Sequence, residues 1–197
     1  MTDTQTRVSA LAGHMNSGRR GYADNDRGPL TAKEISGLTM VEIAAWDGDG
    51  AAIVKAIQDK LGLALPANAH GTTSTGATTA LWLGPNRWLV VSSEDCRAQL
   101  KEAIGANAAV IDQSHSRSVV EISGASVTAL LSKGCSLDFH QSAFPVGTCK
   151  ATHFAHLSIL IQRLDKTVFR LYLPRSFAAS GWEWLMDAAS EYSLTVE

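Results

Sequence analysis

From Leu38 onward, the apolar residues of this chain follow one order of periods twice: strand, helix, strand, strand, helix, strand. That repeat constrains the fold more than any single motif. Each half is too short to bury its apolar faces alone, so the two must share an interior. In the first half, Leu38–Trp46 reads as a strand. Gly50–Leu61 reads as a helix, with Ile53, Ile57 and Leu61 on one face and Gly62 just past its end. Pro66–Gly76 is a polar loop. Thr78–Leu83 and Trp88–Ser93 are strands around the turn Gly84-Pro85-Asn86-Arg87. Glu94–Ile104 is a helix and Ala108–Gln113 a strand.

In the second half, Ser118–Ile122 is a strand and Ala125–Lys133 a helix stopped by Gly134. An irregular connection runs from Cys135 to Cys149. Ala151–Arg163 is one long strand or a bent pair, and Thr167–Leu173 a strand after the Asp165-Lys166 turn. Phe177–Ala189 is a helix, with Ser176 as N-cap and Trp182, Leu185, Met186 and Ala189 on one side. Ser193–Val196 closes as a strand. The reading is an α+β fold: two tandem split-βαβ (βαββαβ) units, about residues 38–113 and 117–197, packed into a single domain over 34–197. Residues 1–33 are rich in Gly, Asn, Asp, Ser and Arg and lack a periodic apolar pattern. They are expected to form a flexible N-terminal arm that orders on a partner, with Ala10-Leu11-Ala12 and Arg19-Arg20 as its anchors.

Composition excludes several function classes. The net charge is −2 with no basic run, so no phosphate backbone is gripped and no nucleic acid is expected. The three Cys (Cys96, Cys135, Cys149) have no tight spacing, which points to a reducing compartment rather than a disulfide framework. The first thirty residues contain no apolar signal core, and the longest apolar run, Leu157–Ile161, is too short for a bilayer. A cytoplasmic location without a membrane is expected. Five Trp in a chain with only 18% charged residues suggest apolar surface that meets a partner.

The chemical motifs each have a plain structural explanation. Ser114-His115-Ser116-Arg117 sits between two strands. Arg117 suits carboxylate recognition and His115 titrates near neutral pH, while the hydroxyls suit capping of nearby backbone. Cys135, His140, Cys149, His153 and His156 lack the paired spacing of structural zinc. Lys133-Gly134-Cys135 puts a thiol beside a cation, but also reads as a helix stop in which Gly takes a left-handed turn. Trp182 and Trp184 lie two apart on one helix, so one serves the core while the other reaches a neighbour or the surface. Gly48-Asp49-Gly50 opens a helix without a nucleotide-binding spacing. No catalytic, cofactor-binding or metal-binding residue is assigned. The interface candidates are His115, Arg117 and Trp184.

Five blocks, in order, resemble the gamma subunit of the heterotetrameric sarcosine oxidases. They are Leu83-Gly84-Pro85-Asn86-Arg87-Trp88-Leu89; Asp112 to Arg117; Ser123-Gly124-Ala125 with Leu130 to His140; Phe144-Pro145-Val146-Gly147-Thr148-Cys149; and Arg175-Ser176-Phe177 with Trp182-Glu183-Trp184-Leu185. The resemblance covers roughly Leu38 to Ala189. It implies an aminomethyltransferase folate-binding-like fold, and a non-catalytic structural or assembly role. The implied partners are alpha, beta and delta subunits. The implied complex oxidises sarcosine to glycine, makes hydrogen peroxide and forms methylene-tetrahydrofolate. FAD, FMN, NAD, tetrahydrofolate and zinc are implied for the other subunits and none for this chain. Asp112 and Asp138 fall in matched blocks without an assigned chemistry. Three alternatives remain: a stand-alone folate-dependent aminomethyltransferase-like protein, a small metal-binding protein, and the gamma subunit of a related N-methyl amino-acid oxidase or dehydrogenase.

Overall fold

The alternation of side chains along each strand sorts the molecule into layers. The structure is a computed structural model that describes residues 8–21, 28–46 and 50–197. In chain order the strands and helices are β1 (Gly18–Arg20), β2 (Pro29–Glu34), β3 (Thr39–Ala45), α1 (Gly50–Leu61), β4 (Thr72–Thr75), β5 (Thr78–Gly84), β6 (Arg87–Ser92), α2 (Arg97–Ile104), β7 (Ala108–Asp112), β8 (Arg117–Gly124), α3 (Val127–Ser132), β9 (Thr148–Phe154), β10 (Leu157–Asp165), β11 (Val168–Pro174), α4 (Ala178–Ala188) and β12 (Ser193–Val196). They form a five-stranded sheet, β4-β5-β6-β3-β7, and a seven-stranded sheet, β1-β12-β2-β8-β11-β10-β9.

Each sheet is apolar on both faces. On the small sheet, Val41, Ile43 and Val90 pack against Ile53 and Ile57 of α1 and Leu100 and Ile104 of α2. On the large sheet, Val120, Ile122 and Leu171 pack against Leu130 and Leu131 of α3 and Trp182 and Leu185 of α4. The neighbouring positions on the same strands face the other way. Met40, Leu89 and Val91 meet Val119, Leu160 and Tyr172 between the sheets. The result is four layers, helices–sheet–sheet–helices, with the shared interior in the middle.

The expected duplication is visible in strand order. β4-β5-β6-β3 corresponds to β9-β10-β11-β8, and β7 corresponds to β12. The halves differ at one place. β7 pairs directly with β3, Ile43 opposite Val110. In the second unit β2 is inserted between β8 and β12, antiparallel to the one and parallel to the other. Leu30 and Ala32 of β2 are fully buried.

That insertion corrects the boundary of the expected arm at Lys33. Residues 29–34 are a central strand of the large sheet. Leu11 is buried in the second unit's core, and Trp182 Nε1 donates to the His14 carbonyl at 3.1 Å. The alternation Leu30, Ala32 inward and Thr31, Lys33 outward was present in the sequence, but the Gly- and Asp-rich residues before it obscured it. The Ala10-Leu11-Ala12 anchor engages the chain itself. Residues 1–7 and 22–27 of the arm, and Gly48 and Asp49 of the helix-opening stretch, lie outside the described residues.

Three local expectations also change, and one open alternative is decided. The polar loop before β5 contains β4, which pairs with it. Of the two readings of 151–163 the bent pair holds: it is a hairpin of β9 and β10, turned by Ala155 at φ 52° and His156. α4 has no Ser176 cap; the chain enters it through a 3-10 turn, Arg175–Phe177, with no side-chain cap bond. Gly134 is not among the left-handed glycines. It is needed for space: a Cβ there would lie 2.6 Å from Trp184 Cη2 and 3.1 Å from Phe154 Cδ2.

The irregular connection after Gly134 is held from below by one buried cation. Arg163 on β10 is 5% exposed. Its Nη1 donates to the Phe139 and Phe144 carbonyls at 2.9 and 2.7 Å, and Nη2 donates to the Lys166 carbonyl at 2.9 Å. The guanidinium also stacks on the Phe169 ring, 5.2 Å from its centroid. With the Asp165 carbonyl, which accepts from Nε at 3.4 Å, four carbonyl dipoles replace the water that this charge loses.

The close approach at Gly134 yields a test. Gly134→Ala should destabilise the chain by about 1–3 kcal/mol, the usual cost of forcing one carbon into a packed site. Urea denaturation measures this. Stability equal to or above the parent would contradict the packing argument, since alanine is otherwise favoured over glycine near a helix end.

Candidate functional site

The passage from the small sheet to the large one is a tight turn, and its hydroxyls are used structurally. Gln113 N donates to the Met40 carbonyl at 2.7 Å, and Ser114 Oγ accepts from Met40 N at 3.0 Å. Ser116 N and Oγ both donate to the Gln113 carbonyl, at 2.9 and 2.8 Å. These bonds tie the end of β7 to the start of β3 and close the turn, which is the capping role expected of Ser114 and Ser116. Asp112 accepts from Ser114 N at 2.9 Å and pairs with Arg97 Nη1 at 2.8 Å. The Ser114 hydrogen bonds, reinforced by the Arg97 guanidinium, hold the Asp112 carboxyl down to about 2.

The three interface candidates are placed differently. His115 is exposed at the tip of the turn. Trp184 is half-buried and turned inward. Its ring meets Phe154 edge-on at 4.7 Å and covers Gly134, so that part of its surface is used within the chain. Arg117 begins β8 on the side that Val119 presents to the shared interior. It lines a cavity of about 210 Å³ at the edge of the sheet–sheet layer, together with Ser9, Glu34, Ser36 and Arg175.

The Arg117 guanidinium is incompletely satisfied. Its Nε is buried and has no hydrogen-bond partner among the described residues. Burial lowers its pKa, and the nearby Glu42 carboxylate opposes that shift. The other charges of the cavity are engaged: Glu34 accepts from Ser9 Oγ, and Arg175 Nη2 donates to the Val8 carbonyl at 2.7 Å. Ser9 and Glu34 were missed by sequence reasoning because they fall in or beside the supposed arm. For Arg175 the available signal was its position directly after a strand.

The Cys and His residues do not converge. Among the described residues, no group of three or more His, Cys, Asp or Glu is arranged to hold a metal ion. His153 and His156 are exposed on either side of the β9–β10 turn. His140 Nδ1 lies 2.8 Å from Ser142 Oγ, and Asp138 accepts from His140 N at 2.8 Å, so both serve the local turn. Burial pushes the Cys135 and Cys149 thiols up to about 12. Lys133, beside Cys135 in sequence, donates instead to the Ala188 carbonyl at 2.6 Å. Among the described residues, no helix is long and apolar enough to cross a membrane.

Two expected outcomes follow from these groups. At pH 8 a thiol titrating near 12 is thiolate roughly once in ten thousand molecules. Iodoacetamide should therefore label Cys135 and Cys149 only after unfolding, while half-buried Cys96 labels first; peptide mass mapping reads the order. The Asp112 shift is downward, so its contribution to stability is present above the unfolded carboxylate range, near 4, and is lost as pH falls towards 2. Asp112→Asn should flatten the fall in melting temperature across that window; an unchanged slope would leave the Asp112 cluster without energetic weight.

Comparison with known proteins extends the description. A family described as "Sarcosine oxidase, gamma subunit family" matches residues 45–191. A sarcosine oxidase subunit gamma from Corynebacterium sp. (strain P-1) is 32% identical over 170 residues, covering 84% of this chain and 83% of that one. One from Arthrobacter sp. is 33% identical over 171 residues, with the same coverage. Among solved structures, a heterotetrameric sarcosine oxidase from Corynebacterium sp. U-96 matches with a TM-score of 0.82 and 29% identity, over 95% of this chain and 97% of that chain. The glycine cleavage system aminomethyltransferase T from Bartonella henselae matches with a TM-score of 0.64 at 15% identity, over 94% of this chain and 50% of that one, which is a likeness of fold.

Proposed function

The chain belongs to the sarcosine oxidase gamma subunit family, and we propose on that footing that it is the gamma subunit of a heterotetrameric sarcosine oxidase. In this reading it is a non-catalytic body on which alpha, beta and delta subunits assemble in the cytoplasm. The complex oxidises sarcosine to glycine, releases hydrogen peroxide and passes the one-carbon unit to tetrahydrofolate. The flavins, NAD, folate site and zinc reside in the partners. The observation that carries the proposal is the near end-to-end match with one chain of the U-96 oxidase, 95% of this chain on 97% of that one.

The surface suits such a role. Trp46 is 54% exposed and Phe177 53%, with Val8 and Ile111 also exposed. Large apolar side chains in water are the kind of surface that a partner covers. His115, at an exposed turn tip, is available to a partner; Trp184 offers only the part of its ring not packed on Gly134 and Phe154.

Co-expression with candidate oxidase subunits, followed by size-exclusion chromatography with detection at flavin wavelengths, tests the proposal. The chain should co-elute with a yellow, high-mass species that consumes oxygen on addition of sarcosine. A colourless chain eluting alone would overturn the subunit role. A yellow complex inactive on sarcosine but active on another N-methyl amino acid would keep the assembly role and replace the substrate.

A further inference from the structure

We infer that the cavity at the edge of the sheet–sheet interior is a binding site for a small monocarboxylate, with the Arg117 guanidinium as its anchor. Arg117 lines a space of about 210 Å³, enough for a molecule of several non-hydrogen atoms. Its buried Nε has no partner among the described residues. A buried donor left unpaired costs free energy, and a charged one costs more. The contrast with Arg163 is direct: that guanidinium, also inside the protein, is surrounded by backbone carbonyls.

A carboxylate is the ligand chemistry that fits. Its two oxygens accept charge-assisted N–H bonds from a guanidinium, and Arg117 brings one to the cavity wall. Arg175 adds a second cation to the lining, against a single lining carboxylate, Glu34, which Ser9 already engages. The rest of the wall sets the tail. Ile35, Leu38, Met40 and Val119 are apolar, so a short alkyl chain is accommodated, and the Glu34 carboxylate repels a second anionic group. The lowered pKa of Arg117 agrees with this, since burial penalises the cation more than the nearby Glu42 carboxylate compensates.

Propionate is the probe. Saturation-transfer NMR on the full chain at constant ionic strength should show saturable binding of propionate, with no competition from equimolar chloride. Arg117→Gln should weaken it at least about tenfold, the loss of one charge-assisted pair. Arg117→Lys, which keeps the charge but not the fork, should also weaken it. Ser36→Trp, on the exposed rim, should block entry without touching the anchor; it carries the test if Arg117→Gln does not fold by circular dichroism. Absence of saturable binding to the parent chain would overturn the site. So would displacement by chloride at equal concentration, or parent-like affinity in a folded Arg117→Gln or Ser36→Trp chain.

Discussion

The two sheets of this protein depend on each other through one shared face. Helices cover the outer side of each sheet, but the inner sides have only one another. Met40, Leu81, Leu89 and Val91 from one unit and Val119, Leu160 and Tyr172 from the other make that layer. It is not wholly apolar: Tyr172 donates to Gln162 Oε1 at 2.9 Å in the middle of it. A buried hydrogen bond of this kind adds little net stability, but it fixes the register of β10 against β11 within the large sheet, because a slip would leave both groups unsatisfied. Burial accordingly pushes the Tyr172 phenol well above its ordinary range. Neither unit could expose this face to water, so the duplicated halves fold as one body.

The same constraint explains the asymmetry between halves. The first unit closes with β7 directly against β3, whereas the second admits β2 between β8 and β12. β2 brings Leu30 and Ala32 to the helix-covered core, and Lys33 to a 3.2 Å pair with Glu121 on the opposite face. The N-terminal segment is therefore joined to the second unit, not to the first that it precedes in sequence. Leu11, under α4, extends the same association. A segment that supplies a central strand completes the sheet's hydrogen bonds on both sides, and leaves no exposed edge between β8 and β12.

Much of the fold was legible because it rests on local period. The helices around Ile53 and Leu185, the turn at Asn86 and the doubled order all follow from residue spacing, and the turn residue Asn86 adopts the left-handed conformation that its type favours. What escaped was set by tertiary contact. Ala155 turns the β9–β10 hairpin with φ 52°, although alanine carries no turn signal. Its N–H donates to the Gly134 carbonyl at 2.9 Å, a bond to a residue that sequence places in another element. Gly134 itself was recognised as a helix stop for the wrong reason: the determining atom belongs to Trp184, fifty residues away. At the candidate site, the capping by Ser114 and Ser116 was readable from their type and position. The surroundings of Arg117 were not, because they bring Ser9, Glu34 and Arg175 from three distant segments.

Arginine shows most directly how type and placement separate. Arg163 and Arg117 both begin as polar residues on strands of the large sheet, and both turn into the protein. Around Arg163 the chain has folded its own carbonyls, so the cation serves as a structural pin for the connection between α3 and β9. Around Arg117 the neighbouring acids are committed elsewhere: Glu34 to Ser9, Glu42 to Arg87. A protein that can satisfy one buried guanidinium fully has no general difficulty in doing so. The incomplete satisfaction at Arg117 is therefore a property of its location at the first residue of β8, where the neighbouring backbone groups are spent on the ladder with β11. At that margin Arg117 lines a space that the chain's own groups leave open.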